Sequence, residues 1–308
     1  MDGSPAVRIR GFNGVDERAS SAMQGSETER CGRRVRVATA RALLMFVLLP
    51  LTSTACSSGD DDVLARARTA GTLRVALTQA NPPWNFLDRG DHPIGYDADV
   101  ANELARRLKI GQVDFVGSDF ASFVGGIRAD RFDIVISGQT ITDQRRKQVD
   151  FSRPYAVNEV SVFVRNDNDA IAGVKDLAGK KVAVSEGTTQ ADFARTGIPD
   201  ADVRTYKNAT LGLTDLAQGR ADAALVSRFL GAYLAQQKGL PVKPVGPTLQ
   251  REVLGMSFRK GALPFKQAVD QAIDAMIADG TLSVISRRWL NGIDMAAELR
   301  KVPPNRYP

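Results

Sequence analysis

The chain has 308 residues, 43% hydrophobic and 25% charged, with a net charge of +6, the ordinary balance of a globular protein long enough for two domains of roughly 100–150 residues. Half of the excess positive charge sits in the first 55 residues, which hold eight arginines and five acids, and no basic stretch with interleaved aromatics follows, which argues against a nucleic-acid partner. Two cysteines, Cys31 and Cys56, and one histidine, His92, exclude a His/Cys metal cluster and a histidine-based catalytic triad.

Arg33, Arg34, Arg36 and Arg41 precede the apolar run ALLMFVLLPL at 42–51. The run is too short to span a bilayer comfortably and has the layout of a secretory signal. It runs into LTSTAC. Small residues before a cysteine look like a lipobox, in which Cys56 becomes the lipid-modified first residue. Ser53 stands where a leucine is usual, and Leu51 lies too early. The following SSGDDD reads as a polar tether. The expected layout is a signal region at 1–55, with Met23 as an alternative start, and a lipidated tether at 56–66. The alternative is a cleaved, soluble secreted protein with a stray cysteine. No later apolar run is long enough to cross a membrane, so attachment is expected through a lipid only.

TLRVAL (72–77) reads as a buried strand, and NPPWNF with the turn-rich segment after it as a loop. In DADVANELARRLKI, Asp97 is a good N-cap, and Val100, Leu104 and Leu108 recur at helical spacing. VDFVG (113–117) is a strand, 122–130 a short helix, and FDIVISG (132–138) a central strand with a nearly continuous apolar run. The pattern repeats with strands at 161–166, within KKVAVS, and at 242–246. A strand at LGMSF and helices at 264–279 and 281–290 follow, with Gly280 as a C-cap between them. Strands alternating with amphipathic helices predict an α/β fold with largely parallel sheets.

The segment SGQTITDQRRKQVDFSRPY (137–155) carries the clearest chemistry. A strand ending in Ser137 and Gly138 runs toward a helix past a hydroxyl, Thr140. Arg145 follows at a distance from which a guanidinium can clamp a carboxylate. Such a site needs no metal, cofactor or nucleophile. Arg145 beside Arg146 and Lys147 also reads as a surface arginine.

This segment resembles the signature of the extracellular solute-binding proteins, family 3, which serve polar amino-acid ABC importers. The likeness extends from about Thr72 to Leu290 through NPPWNF, IGYDADVANELARRL, SDFASFVGGI, KKVAVSEGTTQADF, GRADAAL and ADGTLSVISRRWL. It implies a two-lobed periplasmic-binding-protein type II fold, each lobe a central β-sheet flanked by helices, joined by a two-strand hinge. Lobe 1 is expected at 67–156 plus 254–300, lobe 2 inserted at 157–253, and a polar tail at 301–308. Crossovers are expected near 155–159 and 250–254.

The resemblance implies that Arg145 clamps an α-carboxylate shared with Thr140, with backbone contacts from Ser137 and Gly138. Gly187, Thr188 and Thr189 would supply N–H donors at a helix N-terminus. Thr188 and Thr189 are equally a plain helix cap. Trp84 and Phe120 would wall the cleft, or belong to the core. Two departures stand out. Ser227 occupies the position where the family carries an aspartate for the ligand's ammonium, and Asn81 replaces the first aromatic of its loop. Either another acid, Glu186 or Asp119, supplies the charge, or the ligand is not a simple α-amino acid. The implied function is a binding lipoprotein, not an enzyme. It would capture a polar amino acid or similar small carboxylate as a monomer, without a cofactor, and pass it to a permease and ATPase on other chains. A cleft enzyme resembling cyclohexadienyl dehydratase and a ligand sensor are the alternatives.

Overall fold

The computed structural model describes residues 62–303. The expected signal region, Cys31, Cys56, nearly all of the polar segment after it and the last five residues lie outside the described residues.

The Asp62 carboxylate accepts from the backbone N–H groups of Leu64 and Ala65 and caps α1 (Val63–Ala70). β1 (Thr72–Leu77) follows, then the short strands β2 (Ala80–Asn81), β3 (Asn85–Leu87) and β4 (Pro93–Ile94), α2 (Tyr96–Arg107) and β5 (Gln112–Gly117). α3 (Phe123–Arg128), β6 (Ile134–Val135), α4 (Asp143–Arg146) and the long β7 (Asp150–Arg165) come next. β8 (Lys181–Ser185), α5 (Thr189–Gly197), β9 (Asp202–Tyr206), α6 (Ala209–Ala217), β10 (Ala223–Ser227) and α7 (Arg228–Lys238) alternate strand with helix. A second long strand, β11 (Val242–Phe258), precedes α8 (Leu263–Ala278), α9 (Thr281–Trp289) and α10 (Met295–Arg300).

Eight strands form one sheet in the order β5-β1-β6-β11-β7-β10-β8-β9. β5 and β6 flank β1 in parallel, and β8 lies parallel between β10 and β9. Between these two parallel sets run β11 and β7, antiparallel to each other. They are 17 and 16 residues long, about 50 Å of extended chain at roughly 3.3 Å per residue, which is enough to pass through both halves. The segments expected to hold the crossovers pair with one another: Val157 with Val253, Asn158 with Glu252, and Glu159 with Arg251.

Both faces of each parallel set are covered, so neighbouring residues on a strand enter different cores. Val75 on β1 packs with Tyr96, Leu104, Met256 and Phe265, while Ala76 packs with Phe123, Phe132 and Phe151. In the other half, Val162 joins Val182 and Leu225, and its neighbour Phe163 joins Leu213 and Leu230. Each fully buried Val, Leu or Phe contributes about 1.5–3 kcal/mol relative to exposure.

Three sequence expectations change. Asp97 is not the N-cap of α2: Gly95 holds that place, and Asp97 points into the interior, fully buried. The central strand expected over 132–138 forms a ladder at Ile134–Val135 only. Asp133 and Ile136 still donate their N–H groups to the carbonyls of Arg74 and Ala76, so the segment lies against β1. The strands expected at 161–166, 242–246 and LGMSF are parts of β7 and β11. β11 stays one strand through a register irregularity between Val245 and Gln250, where Gly246 and Pro247 interrupt the apolar pattern that would have marked it.

Candidate functional site

A cavity of about 80 Å³ lies where the two halves meet. The first half contributes Thr78, Asn81, Phe120, Gly138 and Thr140. The second contributes Thr188, Thr189, Gln190, Lys207, Asn208 and Ser227, and the crossing strands contribute Asn158 and Glu252. A larger recess of about 500 Å³ shares Thr140, Thr189 and Glu252 with it.

Arg145 sits on the four-residue α4, whose first turn Thr142 caps by accepting from the Arg145 N–H at 3.2 Å. Its guanidinium does not line the cavity. Nη1 donates to the Thr140 carbonyl at 2.7 Å and Nη2 to the Gly187 carbonyl at 2.8 Å. It also lies over the Phe120 ring, 5.4 Å from the centroid. Arg145 thereby ties one half to the other. Burial pushes its pKa down, and the charges of Glu252 and Asp192 act in the opposite sense.

Gly187 has φ 72°, a left-handed conformation natural to glycine. A Cβ placed there would lie 2.9 Å from Ala121 Cα, so the two halves approach too closely here for any side chain. Thr188 caps α5: its Oγ1 accepts from the Ala191 N–H at 3.2 Å and donates to the Ser185 carbonyl at 2.7 Å. Thr189 Oγ1 instead donates to Glu252 Oε1.

Besides Arg145 and Gly187, two more expected site residues lie outside the cavity lining. Ser137 is buried outside the cavity lining, and its Oγ accepts from the Thr78 N–H at 3.1 Å and from Asn85 Nδ2 at 3.2 Å. Trp84 is 1% exposed and belongs to the core, packed edge-on against Tyr96 and Phe229. Its contribution to the site is indirect, since Nε1 donates to Ser227 Oγ at 3.2 Å. Gly138 lines the cavity, but its N–H is taken by the Tyr155 hydroxyl at 2.9 Å. That hydroxyl donates to Asp97 Oδ1 at 2.7 Å, and Asn85 Nδ2 donates to Oδ2 at 2.7 Å. Burial raises the Asp97 pKa to about 7 against the pull of these two hydrogen bonds.

Glu186 and Asp119 are the acids that the sequence offers in place of the absent aspartate. Both are exposed and outside the cavity lining. The acid at the cavity is Glu252, 6% exposed, on β11. Besides Thr189, it accepts from Asn158 Nδ2 at 3.0 Å and Gln190 Nε2 at 2.9 Å. Ser227 Oγ donates to Asn158 Oδ1 at 2.6 Å, which completes a network from Trp84 through Ser227 and Asn158 to Glu252. The available signal was one acid at the head of the run VLGMSF, inside a segment already expected to cross between lobes.

Among the described residues, no group of three or more His, Cys, Asp or Glu side chains is arranged to hold a metal ion, and no helix is long and apolar enough to cross a membrane. The site presents hydroxyls, amides, the exposed Lys207 ammonium and one carboxylate around a small cavity, with a guanidinium at its edge.

Among curated proteins, the L-cystine-binding protein TcyJ of Escherichia coli (strain K12) is 32% identical over 247 residues, covering 80% of this chain and 92% of that protein. A probable amino-acid-binding protein of Bacillus subtilis (strain 168), YxeM, is 28% identical over 253 residues, covering 81% and 94%. Among solved structures, an ancestral arginine-binding protein bound to arginine superposes with a TM-score of 0.67 at 34% identity, over 71% of this chain and 98% of that one. An ancestral amino acid-binding protein described as a precursor of cyclohexadienyl dehydratase gives 0.69 at 34%, over 74% and 99%. The fold is the two-lobed periplasmic-binding-protein type II fold. Residues 73–292 match the model of the bacterial extracellular solute-binding proteins, family 3, and the chain belongs to that family.

Proposed function

We propose that the protein captures a polar α-amino acid outside the cytoplasmic membrane and hands it to an ABC permease whose ATPase is a separate chain. The lobes, at 67–156 plus 254–300 and at 157–253, close on the ligand by bending where β7 and β11 cross between them. Cys56, once lipidated, tethers the monomer to the outer face of the membrane.

The observation that carries this reading is the bridge from Arg145 to carbonyls of both halves, Thr140 and Gly187, at the edge of a cavity that both halves wall. A ligand carboxylate would replace those carbonyls as the acceptor and gain a bidentate, charge-assisted contact. It would lie close to the N-terminus of α5, where N–H groups and the helix dipole favour an anion. Relatives whose names record binding of cystine, arginine and histidine support an amino acid as the ligand class.

The test is thermal melting of ligand-stripped protein against the common amino acids, L-cystine and matched carboxylates lacking the amine. A ligand at about a hundred times its dissociation constant adds about 2.7 kcal/mol, which raises the melting temperature by roughly 5–10 °C in a chain of this size. No shift from any amino acid rejects the reading.

One observation favours a second reading, a cleft enzyme: a buried acid, Glu252, at the cavity of a chain similar to a dehydratase precursor. All three of its hydrogen bonds come from neutral donors with the carboxylate as acceptor. Formation of a dehydrated product from cyclic carboxylates would favour the enzyme.

A further inference from the structure

The cavity contains an electrostatic imbalance. Glu252 is buried, and the groups that hydrogen-bond it (Asn158, Thr189 and Gln190) are all neutral. Hydrogen bonds occupy the lone pairs of a carboxylate, but they do not neutralise its charge, and an uncompensated buried charge is costly. Arg145 lies within its electrostatic reach, but the guanidinium is held on two backbone carbonyls. Lys207, the cation in the cavity lining, is exposed and is not bonded to Glu252, and Ser227 and Asn158 bond to each other and carry no charge.

We propose that Glu252 is the counter-charge for the ligand's ammonium group, a role moved onto the crossing strand β11 because position 227 holds a serine. The inference rests on the amino-acid reading above and assigns its second charge. An ammonium in this cavity meets the Glu252 carboxylate with the Ser227 hydroxyl nearby, while the carboxylate end of the ligand lies toward Arg145. The site then has opposite charges at its two ends and selects a zwitterion. Because Glu252 lies on a strand common to both halves and is bonded to Thr189 and Gln190 of α5, the ammonium is read at the crossing between lobes. A carboxylate at position 227 would have read it from the second lobe alone.

The test is calorimetric titration of the full-length, ligand-stripped protein with the common amino acids and L-cystine. Each binder is compared with its amine-free counterpart, such as dithiodipropionate for cystine or guanidinovalerate for arginine. Glu252→Gln keeps the shape of the side chain. Its carbonyl can accept from Asn158 and Gln190, and its amide can donate to Thr189 Oγ1, so the network stays closed. We expect this variant to lose on the order of a hundredfold in affinity for the amine-bearing ligand and to leave the amine-free counterpart unaffected. Adding Ser227→Asp to Glu252→Gln should restore at least about tenfold. Should Glu252→Gln not fold, Glu252→Asp serves in its place. It keeps the charge but withdraws it by one methylene, and should weaken the amine-bearing ligand alone. Equal binding of the amine-bearing ligand by wild type and Glu252→Gln overturns the assignment and leaves the amino-acid reading intact. Wild-type protein that binds amine-free carboxylates as tightly as amino acids, or binds no amino acid, overturns both.

Discussion

Asn158 and Glu252 face each other across β7 and β11 and are joined by a 3.0 Å hydrogen bond from Nδ2 to Oε2. Both are buried, within strands whose other interior positions are mainly apolar. Removing the Asn158 amide leaves the Glu252 carboxylate one donor short and the Ser227 hydroxyl without its acceptor. Asn158→Ala should therefore destabilise the protein by about 1–3 kcal/mol, the cost of buried polar groups left unpaired. Urea unfolding would read this as a lower midpoint at unchanged slope. A midpoint equal to wild type would mean that water satisfies both groups.

Arg145→Ala should abolish ligand binding while leaving the fold in place. The side chain is half-buried, on a short helix at the edge of the site, and its hydrogen bonds go to two carbonyls rather than into a core. Calorimetry should show no heat of binding, with a melting temperature within a few degrees of wild type. Retained affinity would remove Arg145 from the site.

Gly187→Ala tests the approach of the two halves. Its φ of 72° is strained for alanine, at about 1–2 kcal/mol, and the new methyl would meet Ala121 Cα at 2.9 Å. The backbone strain is felt whether or not a ligand is bound, whereas the clash acts only when the halves are together. Affinity should fall at least about tenfold, beyond the loss expected from the modest drop in melting temperature. Equal affinity in the two proteins would show that binding does not need this contact.

Asp97 makes stability depend on pH. Its pKa is raised from the ordinary 3.8 to about 7 by burial. Between those values the folded protein keeps a proton that the unfolded chain has lost. The contribution of Asp97 to stability is thus full below about pH 4, declines as pH rises, and is lost above about pH 7. A shift of this size corresponds to something on the order of 4 kcal/mol. Asp97→Asn should remove this slope. It should also add a constant penalty, because its new amide faces Asn85 Nδ2, whose own carbonyl already accepts from Thr78 Oγ1 and the Gln79 N–H. Urea midpoints measured from about pH 4 to about pH 8 should fall more steeply in wild type than in the variant. Parallel curves would show that Asp97 does not titrate in this range.

The α/β architecture was legible because it rests on local patterns. TLRVAL coincides with β1, and the helices expected at 264–279 and 281–290 correspond to α8 and α9 within a residue or so. Two features were not legible, for different physical reasons. The continuity of β11 was hidden by Gly246 and Pro247, because a strand held by long-range pairing to β7 tolerates residues that local propensity treats as breaks. The role of Trp84 was ambiguous because an aromatic beside a turn reads alike as wall or core. Burial against Tyr96 and Phe229 makes it core, and only the Nε1 hydrogen bond to Ser227 reaches the site. Among the cavity residues, Thr140, Thr188 and Thr189 came from motif resemblance, whereas Glu252 and Asn158 belong to no motif and meet only through strand pairing.

The two long strands have a thermodynamic consequence. Each contributes residues to the cores on both sides: Val157 and Met256 pack in one half, and Val162 and Val242 in the other. Neither half can melt without unpairing β7 from β11 and exposing the sheet interior of its neighbour. A chain with separate hydrophobic cores in its two halves should therefore lose structure in a single cooperative step, with calorimetric and van't Hoff enthalpies in agreement. Two resolved transitions would show that the strands can part at the crossing while one half stays folded.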